Sequence, residues 1–512
     1  MENLSSQEIV GQFSILSLLN AVIGGSIPFG WAFGVLNLPQ PFVQCWVINQ
    51  NNTGQLEVPF NCSNATALSE SGQLDYDETR LAILTALLPF GAIWGSLHGG
   101  AISDWIGRRG FMIGNSIYGI LVQILMSYCK VIGKYWVLAL GRHMQGIYIG
   151  GASSCSLLYI NEIAPKQYKG TYGTCFQLGV TFGILFSNII GLPFILGNWD
   201  TWPHLLLVGI TFPILQLCLC VFVPETPTYL FSKGHSVKAI QANIILKGPN
   251  AVIAKEEKVK GGLFKNVKAL FKDKLLRRTL IICCSMMLFQ QFSGINAVFF
   301  YSTSIFSAAG MSTEIADLAT VGLSFLNMIS VFLAMAATDK FGRKILLLVG
   351  FSVMSLSAIA ATVLLTLGGN DPEKASFYTT LGIVPIAIYV IAFELGPGPV
   401  PWILSGEMVP TQYKASATAL ATALDFWAAG IIGLIVPPLQ KAMGGYIFVI
   451  FVIINFLAVG YVFGRVVETK GKGYREVLDE IGLQNDWLPG ISKIVKETKK
   501  FRIGIFEFGS EK

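Results

Sequence analysis

Apolar residues in this 512-residue chain fall in long blocks separated by short polar stretches. Twelve blocks are legible, near 13–36, 81–102, 111–129, 135–158, 172–195, 205–223, 279–306, 315–337, 345–367, 379–404, 416–436 and 446–464. A helix of roughly 20 apolar residues crosses a bilayer core of about 30 Å, so each block predicts a membrane span. Six blocks precede a polar centre and six follow it. The pattern predicts an all-α polytopic membrane protein of twelve transmembrane helices in two six-helix bundles. The predicted organisation is a first bundle over 1–223 with an outer loop at 41–79, and a linker over 224–278. A second bundle follows over 279–464, then a tail over 465–512. The polar part of the linker, 229–278, reads as short amphipathic helices covering one mouth of the bundle, with a flexible tether as the alternative. Met1 to Gly11 carries no positive flank or small-residue cleavage site, so the first block reads as a retained helix.

The polar stretches repeat. Glu162-Ile163-Ala164-Pro165-Lys166-Gln167-Tyr168-Lys169-Gly170 returns 245 residues later as Glu407-Met408-Val409-Pro410-Thr411-Gln412-Tyr413-Lys414-Ala415, identical at five positions. Asp104-Trp105-Ile106-Gly107-Arg108-Arg109 returns 235 residues on as Asp339-Lys340-Phe341-Gly342-Arg343-Lys344, and Pro224-Glu225-Thr226 returns 243 on as Val467-Glu468-Thr469. A period this long is not that of a solenoid; it predicts a duplicated bundle with pseudo-symmetric halves.

Composition agrees: 53% of residues are hydrophobic and 13% charged, with mean hydropathy +0.59, too little charge to cover a soluble protein of this size. The 41–79 stretch carries five acids and no Lys or Arg, whereas 229–278 carries twelve Lys/Arg and three acids. The positive-inside rule therefore puts the first outside and the second, with both termini, in the cytoplasm. Sequons at Asn51, Asn61 and Asn64 fall in the outer stretch and are candidate glycosylation sites. Cys45 and Cys62 share that stretch, either as a disulfide or as two separate thiols; the other seven cysteines read as packing residues. The net charge of +6 follows the inner-face bias, and no nucleic-acid pattern accompanies it. His98, His143, His204 and His235 are scattered, with no metal-ligand spacing and no nucleophile–base constellation. No catalytic residue, metal or cofactor is expected, so the chain is not read as an enzyme.

The repeated phrases carry opposite charges at one mouth. Asp104, Arg108 and Arg109, with Asp339, Arg343 and Lys344, sit on turns that Gly107 and Gly342 allow to be tight. Glu162 and Glu407 end the fourth and tenth spans near the same surface. Arg142, Lys169, Glu225 and Lys414 are grouped with them as a candidate cytoplasmic gate. Such charges latch helix ends and bias a two-state equilibrium, or serve only to hold loops inside.

These motifs resemble the sugar porter branch of the major facilitator superfamily, most closely the animal facilitative glucose transporters. The likeness covers nearly the whole chain. It includes both Asp-x-x-Gly-Arg-Arg/Lys turns, Gln177-Leu178-Gly179, Pro224-Glu225-Thr226-Pro227 and Gln290-Gln291-Phe292-Ser293-Gly294-Ile295-Asn296. It also includes Gly396-Pro397-Gly398-Pro399-Val400-Pro401-Trp402 and Glu468-Thr469-Lys470-Gly471. The resemblance implies the major facilitator fold, a plasma-membrane location and a hexose substrate, D-glucose or a relative.

Polar groups inside spans are functional candidates, and an amide both donates to and accepts from sugar hydroxyls. Gln177, Gln290, Gln291, Asn296, Asn327 and Glu394 qualify, and Trp402 could stack on a sugar ring; helix-to-helix hydrogen bonding is the alternative for each. The resemblance implies that these residues and Gly398 line a central hexose site, and that the Pro-Gly segment of the tenth span moves. Proton-driven relatives carry an acid in the first span where this chain has Ala32, which favours uniport. Asp425 stands where glucose transporters carry Asn, as a sugar ligand, a proton carrier or a packing acid. The competing readings are a proton-coupled symporter using Asp425 and a sugar sensor that does not transport.

Other departures bear on the gate and on selectivity. Lys169 and Lys414 replace Arg, Thr228 breaks the usual Pro-Glu-Ser-Pro-Arg, and Met287-Leu288-Phe289 stands for Gln-Leu-Ser. Trp31-Ala32-Phe33 predicts a bulkier first-span wall. Retained Trp402 and Glu394 favour glucose over fructose.

Overall fold

The computed structural model describes residues 11, 13–51, 62, 78–165, 168–248, 263–299, 312–370 and 375–483. The N-terminal ten residues, most of 52–77 including Asn61 and Asn64, 249–262, 300–311 and 484–512 lie outside them, as does the side chain of Asn51.

Long helices account for every predicted span. We number them α1 Ser14–Gly34, α2 Glu78–Ile106, α3 Arg108–Ser127, α4 Tyr135–Ile163, α5 Lys169–Ile190 and α6 Trp202–Cys220. The second set is α7 Lys274–Phe299, α8 Thr313–Phe341, α9 Arg343–Asn370, α10 in two pieces, α11 Thr411–Met443 and α12 Ile447–Arg465. Among the described residues, eleven spans are long and apolar enough to cross a membrane. The exception is α4, whose Arg142, His143, Gln145 and run of Gly and Ser lower its hydropathy. Most of α4 is buried by other helices, so it needs little lipid-facing surface.

The pairings come in matched sets. α1 packs on α5 as α7 packs on α11; α2 packs on α4 as α8 packs on α10; α3 packs on α6 as α9 packs on α12. The two halves meet through α2 with α11 and α5 with α8, contacts that exchange when the halves are swapped. The α2–α4 contact is close because it is built from small residues: a Cβ on Gly91 would lie 2.0 Å from the His143 carbonyl oxygen, and one on Gly146 would lie 2.0 Å from that of Leu88.

Two irregularities position the site. α10 is α-helical over Ala375–Leu395 and again over Val400–Glu407. Between them Pro397 and Pro399 supply no N–H, and Gly396 lies against α9, where a Cβ would sit 2.1 Å from the Leu346 carbonyl oxygen. Such a break at membrane depth is tolerated where it lines a cavity. α1 contains a π turn at Val22–Ser26, which the apolar pattern did not foretell.

Outside the spans, Gln40–Asn51 is helical, and Cys45 and Cys62 are joined as a disulfide. The linker supplies helices at Pro227–Ser232, Ser236–Lys247 and Leu263–Lys272. In the last, Asn266 and Leu270 are buried while Lys265, Lys268 and Lys272 are exposed. A further helix, Tyr474–Leu483, packs on α7.

Candidate functional site

The charged turns make twin clusters at one end of the bundle. Gly107 has φ 93° and Gly342 φ 91°, a region that favours glycine, and each turn leads straight into a helix. Arg108 extends back: its Nη2 donates to Glu162 Oε1 at 2.8 Å and its Nη1 lies 2.9 Å from Asp104 Oδ1. Arg343 Nη2 donates to Glu407 Oε1 at 3.0 Å, and Glu407 Oε2 accepts from the Thr469 hydroxyl at 2.7 Å. Tyr229 lies beneath Arg108, 5.5 Å from the guanidinium.

The third echo of the duplication closes each cluster. Glu225 accepts from the backbone N–H groups of Arg108 and Arg109 at 3.1 and 3.0 Å, and Glu468 from those of Arg343 and Lys344 at 2.9 and 3.0 Å. A carboxylate on the orphan N–H groups of a helix N-terminus also meets the positive end of its dipole. Burial nevertheless raises the Glu225 carboxyl above its ordinary range, against those backbone hydrogen bonds.

Several gate expectations need correction. Arg142 is not in the gate. It lies in the second turn of α4, twenty residues from Glu162 and thus about 30 Å away along the helix at 1.5 Å per residue. Its fully buried guanidinium donates to the Ala32 carbonyl oxygen at 2.8 Å and to Gln145 Oε1 at 2.7 Å. Arg109 and Lys344 do not face the paired glutamates; they reach the carbonyls of Val221 and Phe463, because adjacent residues on a helix diverge by about 100°. Lys169 begins α5. The side chain of Asp339 lies outside the described residues. The Arg108–Glu162 and Arg343–Glu407 pairs each join helices of one half. Between the halves at this end is a polar cavity lined by Asp104, Arg108, Glu162, Thr228, Lys247 and Lys414.

A second cavity lies at the centre, between the halves. Gln177, Gln290, Gln291, Asn296, Asn327, Glu394 and Trp402 all line it. Gln177 Nε2 on α5 donates to Glu394 Oε1 on α10 at 3.0 Å, bridging the halves. Gln290 Nε2 donates to the Gly398 carbonyl in the α10 break at 2.6 Å, which is how Gly398 enters the site. Gln290 Oε1, Asn327 Oδ1 and Glu394 Oε2 are buried without a hydrogen-bond partner. Unpaired buried polar atoms are expensive, and here they converge on one cavity, as a binding site requires.

Asp425 does not line the cavity. It is fully buried behind Gln291, whose Nε2 donates to its Oδ1 at 2.8 Å. Trp31 is also elsewhere, packed against Phe186 and Phe212 in the first half. Of the apolar walls, only Phe33 on the first span was foreseen from sequence. Phe29, Phe33, Val180, Ile184, Ile295, Phe299 and Phe393 complete the lining, and apolar residues within apolar spans carry no distinguishing signal. Phe29 meets Trp402 edge-on at 6.5 Å and Phe176 packs on it at 5.6 Å, which holds the indole in place beside the amides.

Residues 18–480 match the family model described as "Sugar (and other) transporter". The chain belongs to the sugar transporter family. Relatives within it include the solute carrier family 2 facilitated glucose transporter member 4 of Homo sapiens, 32% identical over 92% of this chain and 91% of that protein. Facilitated glucose transporter member 5 of Ovis aries is 30% identical over 95% of each. Among solved structures, the proton:xylose symporter XylE bound to 6-bromo-6-deoxy-D-glucose aligns with TM-score 0.71 and 24% identity over 91% of this chain and 99% of that one. That likeness is one of fold, the major facilitator superfamily fold. Members of the sugar transporter family carry small-molecule sugars through a membrane and are not enzymes, so this chain is a multi-pass sugar transporter.

Proposed function

We propose that the chain is a facilitative hexose uniporter, with D-glucose its best-fitting substrate, that alternates access to the central cavity from the two sides of the plasma membrane. The observation that carries uniport is the Arg142 contact. At the first-span position where proton-driven relatives carry an acid, Arg142 meets only the backbone carbonyl of Ala32 and the neutral Gln145. A carbonyl cannot take up or release a proton, so this pair supplies no coupling site. The hexose assignment draws support from the cavity, where amide and carboxylate groups stand beside a buried indole, and from relatives named for facilitated glucose transport.

In this reading the end bearing the charged turns is cytoplasmic, as its basic linker requires, and the stretch with the disulfide is outside. The ion-pair clusters join α3 to α4 and α9 to α10, so that each set moves as a unit. Rocking of those units about α2–α11 and α5–α8 opens either mouth, and the α10 break supplies local movement.

A second reading has one observation in its favour. Asp425 Oδ2 is buried with no partner, and an intramembrane acid of this kind can carry protons. Counterflow separates transport from sensing: preloaded unlabelled glucose accelerates entry of labelled glucose only in a carrier. Uptake under an imposed proton gradient separates uniport from symport.

A further inference from the structure

Asp425 touches no part of the cavity, yet it dictates how a lining amide is oriented. We propose that Asp425 is a positioning residue that locks the hydrogen-bond polarity of the α7 wall, so that this wall accepts hydrogen bonds from the substrate. The inference rests on the hexose reading above.

A carboxyl oxygen that bears no proton can only accept, whichever state the group as a whole is in. With Asp425 Oδ1 2.8 Å from Gln291 Nε2, the nitrogen of Gln291 must face α11, and its oxygen is turned away. Asn296 Nδ2 donates to that oxygen, which leaves the Asn296 oxygen for the cavity. Gln290 repeats the arrangement. Its nitrogen faces the Gly398 carbonyl at 2.6 Å, an obligate acceptor, and its Oε1 has no partner. Amide oxygen and nitrogen are told apart by what their partners can do, and here both fixed partners are acceptors. A hydroxyl seated on this wall must therefore donate its hydrogen. Asparagine at 425 would remove the constraint, because its amide both donates and accepts and the Gln291–Asn296 pair could invert as a unit.

Fluorine in place of a hydroxyl is a weak acceptor and no donor, whereas a deoxy carbon is neither. The test is competition against labelled D-glucose uptake by the full-length protein in proteoliposomes, using D-glucose and its deoxy and deoxyfluoro analogues carbon by carbon. At the position seated on α7, the deoxy and deoxyfluoro sugars should both bind roughly tenfold more weakly than glucose. In Asp425→Asn the deoxyfluoro analogue should recover several-fold relative to the deoxy one, a ratio that general loosening of the protein would not move. The inference is overturned if, in the unaltered protein, deoxyfluoro sugars bind as tightly as glucose wherever deoxy sugars do not. An unchanged ratio in Asp425→Asn overturns it as well. Failure of every hexose to compete would sink the hexose reading, and this inference with it; the other outcomes leave that reading intact.

Discussion

Arg108 donates to Glu162 at 2.8 Å, and both residues belong to the same half of the molecule. The pair is buried, with side-chain exposures of 5% and 7%, and Arg343 with Glu407 repeats it at 3.0 Å. These contacts therefore brace each half internally.

Removing one partner of a buried pair strands the other charge, at a loss of about 3 kcal/mol or more. Glu162→Ala should lower the thermal unfolding temperature in detergent and slow glucose uptake. The ratio of glucose to fructose uptake should stay the same, because the central cavity is untouched. A changed sugar ratio would contradict the separation of brace from binding site.

Gly107→Ala should be destabilising out of proportion to its size. The residue would be held at φ 93° with its Cβ 2.4 Å from Glu225 Oε2, and a strained backbone of this kind costs about 1–3 kcal/mol. Gly342→Ala should behave alike, its Cβ lying 2.6 Å from Glu468 Oε2. Unfolding temperatures of the two variants check this; a shift in only one of them would break the equivalence of the turns.

The duplicated turns explain how much was legible. The twelve spans and the polar cavity residues announced themselves, since a Gln or Asn inside an apolar block is conspicuous. Glu225 on the N-terminus of α3 was announced only indirectly, by its echo at Glu468, because 117 residues separate it from Arg108. Arg142 misled because sequence does not reveal depth: a cation in a span reads as belonging to the nearest charged mouth until the helix ends are known. Phe29 and Val180 could not be separated from lipid-facing or core neighbours by type alone. Nor could the role of Asp425 be read, since it acts through Gln291 on another helix.

Gln290 couples two parts of the site, the cavity and the α10 break. Gln290→Ala removes the donor to the Gly398 carbonyl, leaving a buried acceptor unpaired at a loss of about 1–3 kcal/mol. The Michaelis constant for glucose should rise by roughly tenfold. Unfolding temperature, measured beside it, should fall only modestly; uptake with an unchanged Michaelis constant would remove Gln290 from the site.

Proteoliposomes give the sharpest test of uncoupled hexose transport. Labelled glucose uptake and external pH are followed together, with and without an imposed inward proton gradient. Internal glucose should rise to the external concentration and no further under either condition, with no alkalinisation accompanying entry. Accumulation above the external concentration, or proton uptake matched to sugar entry, would contradict it.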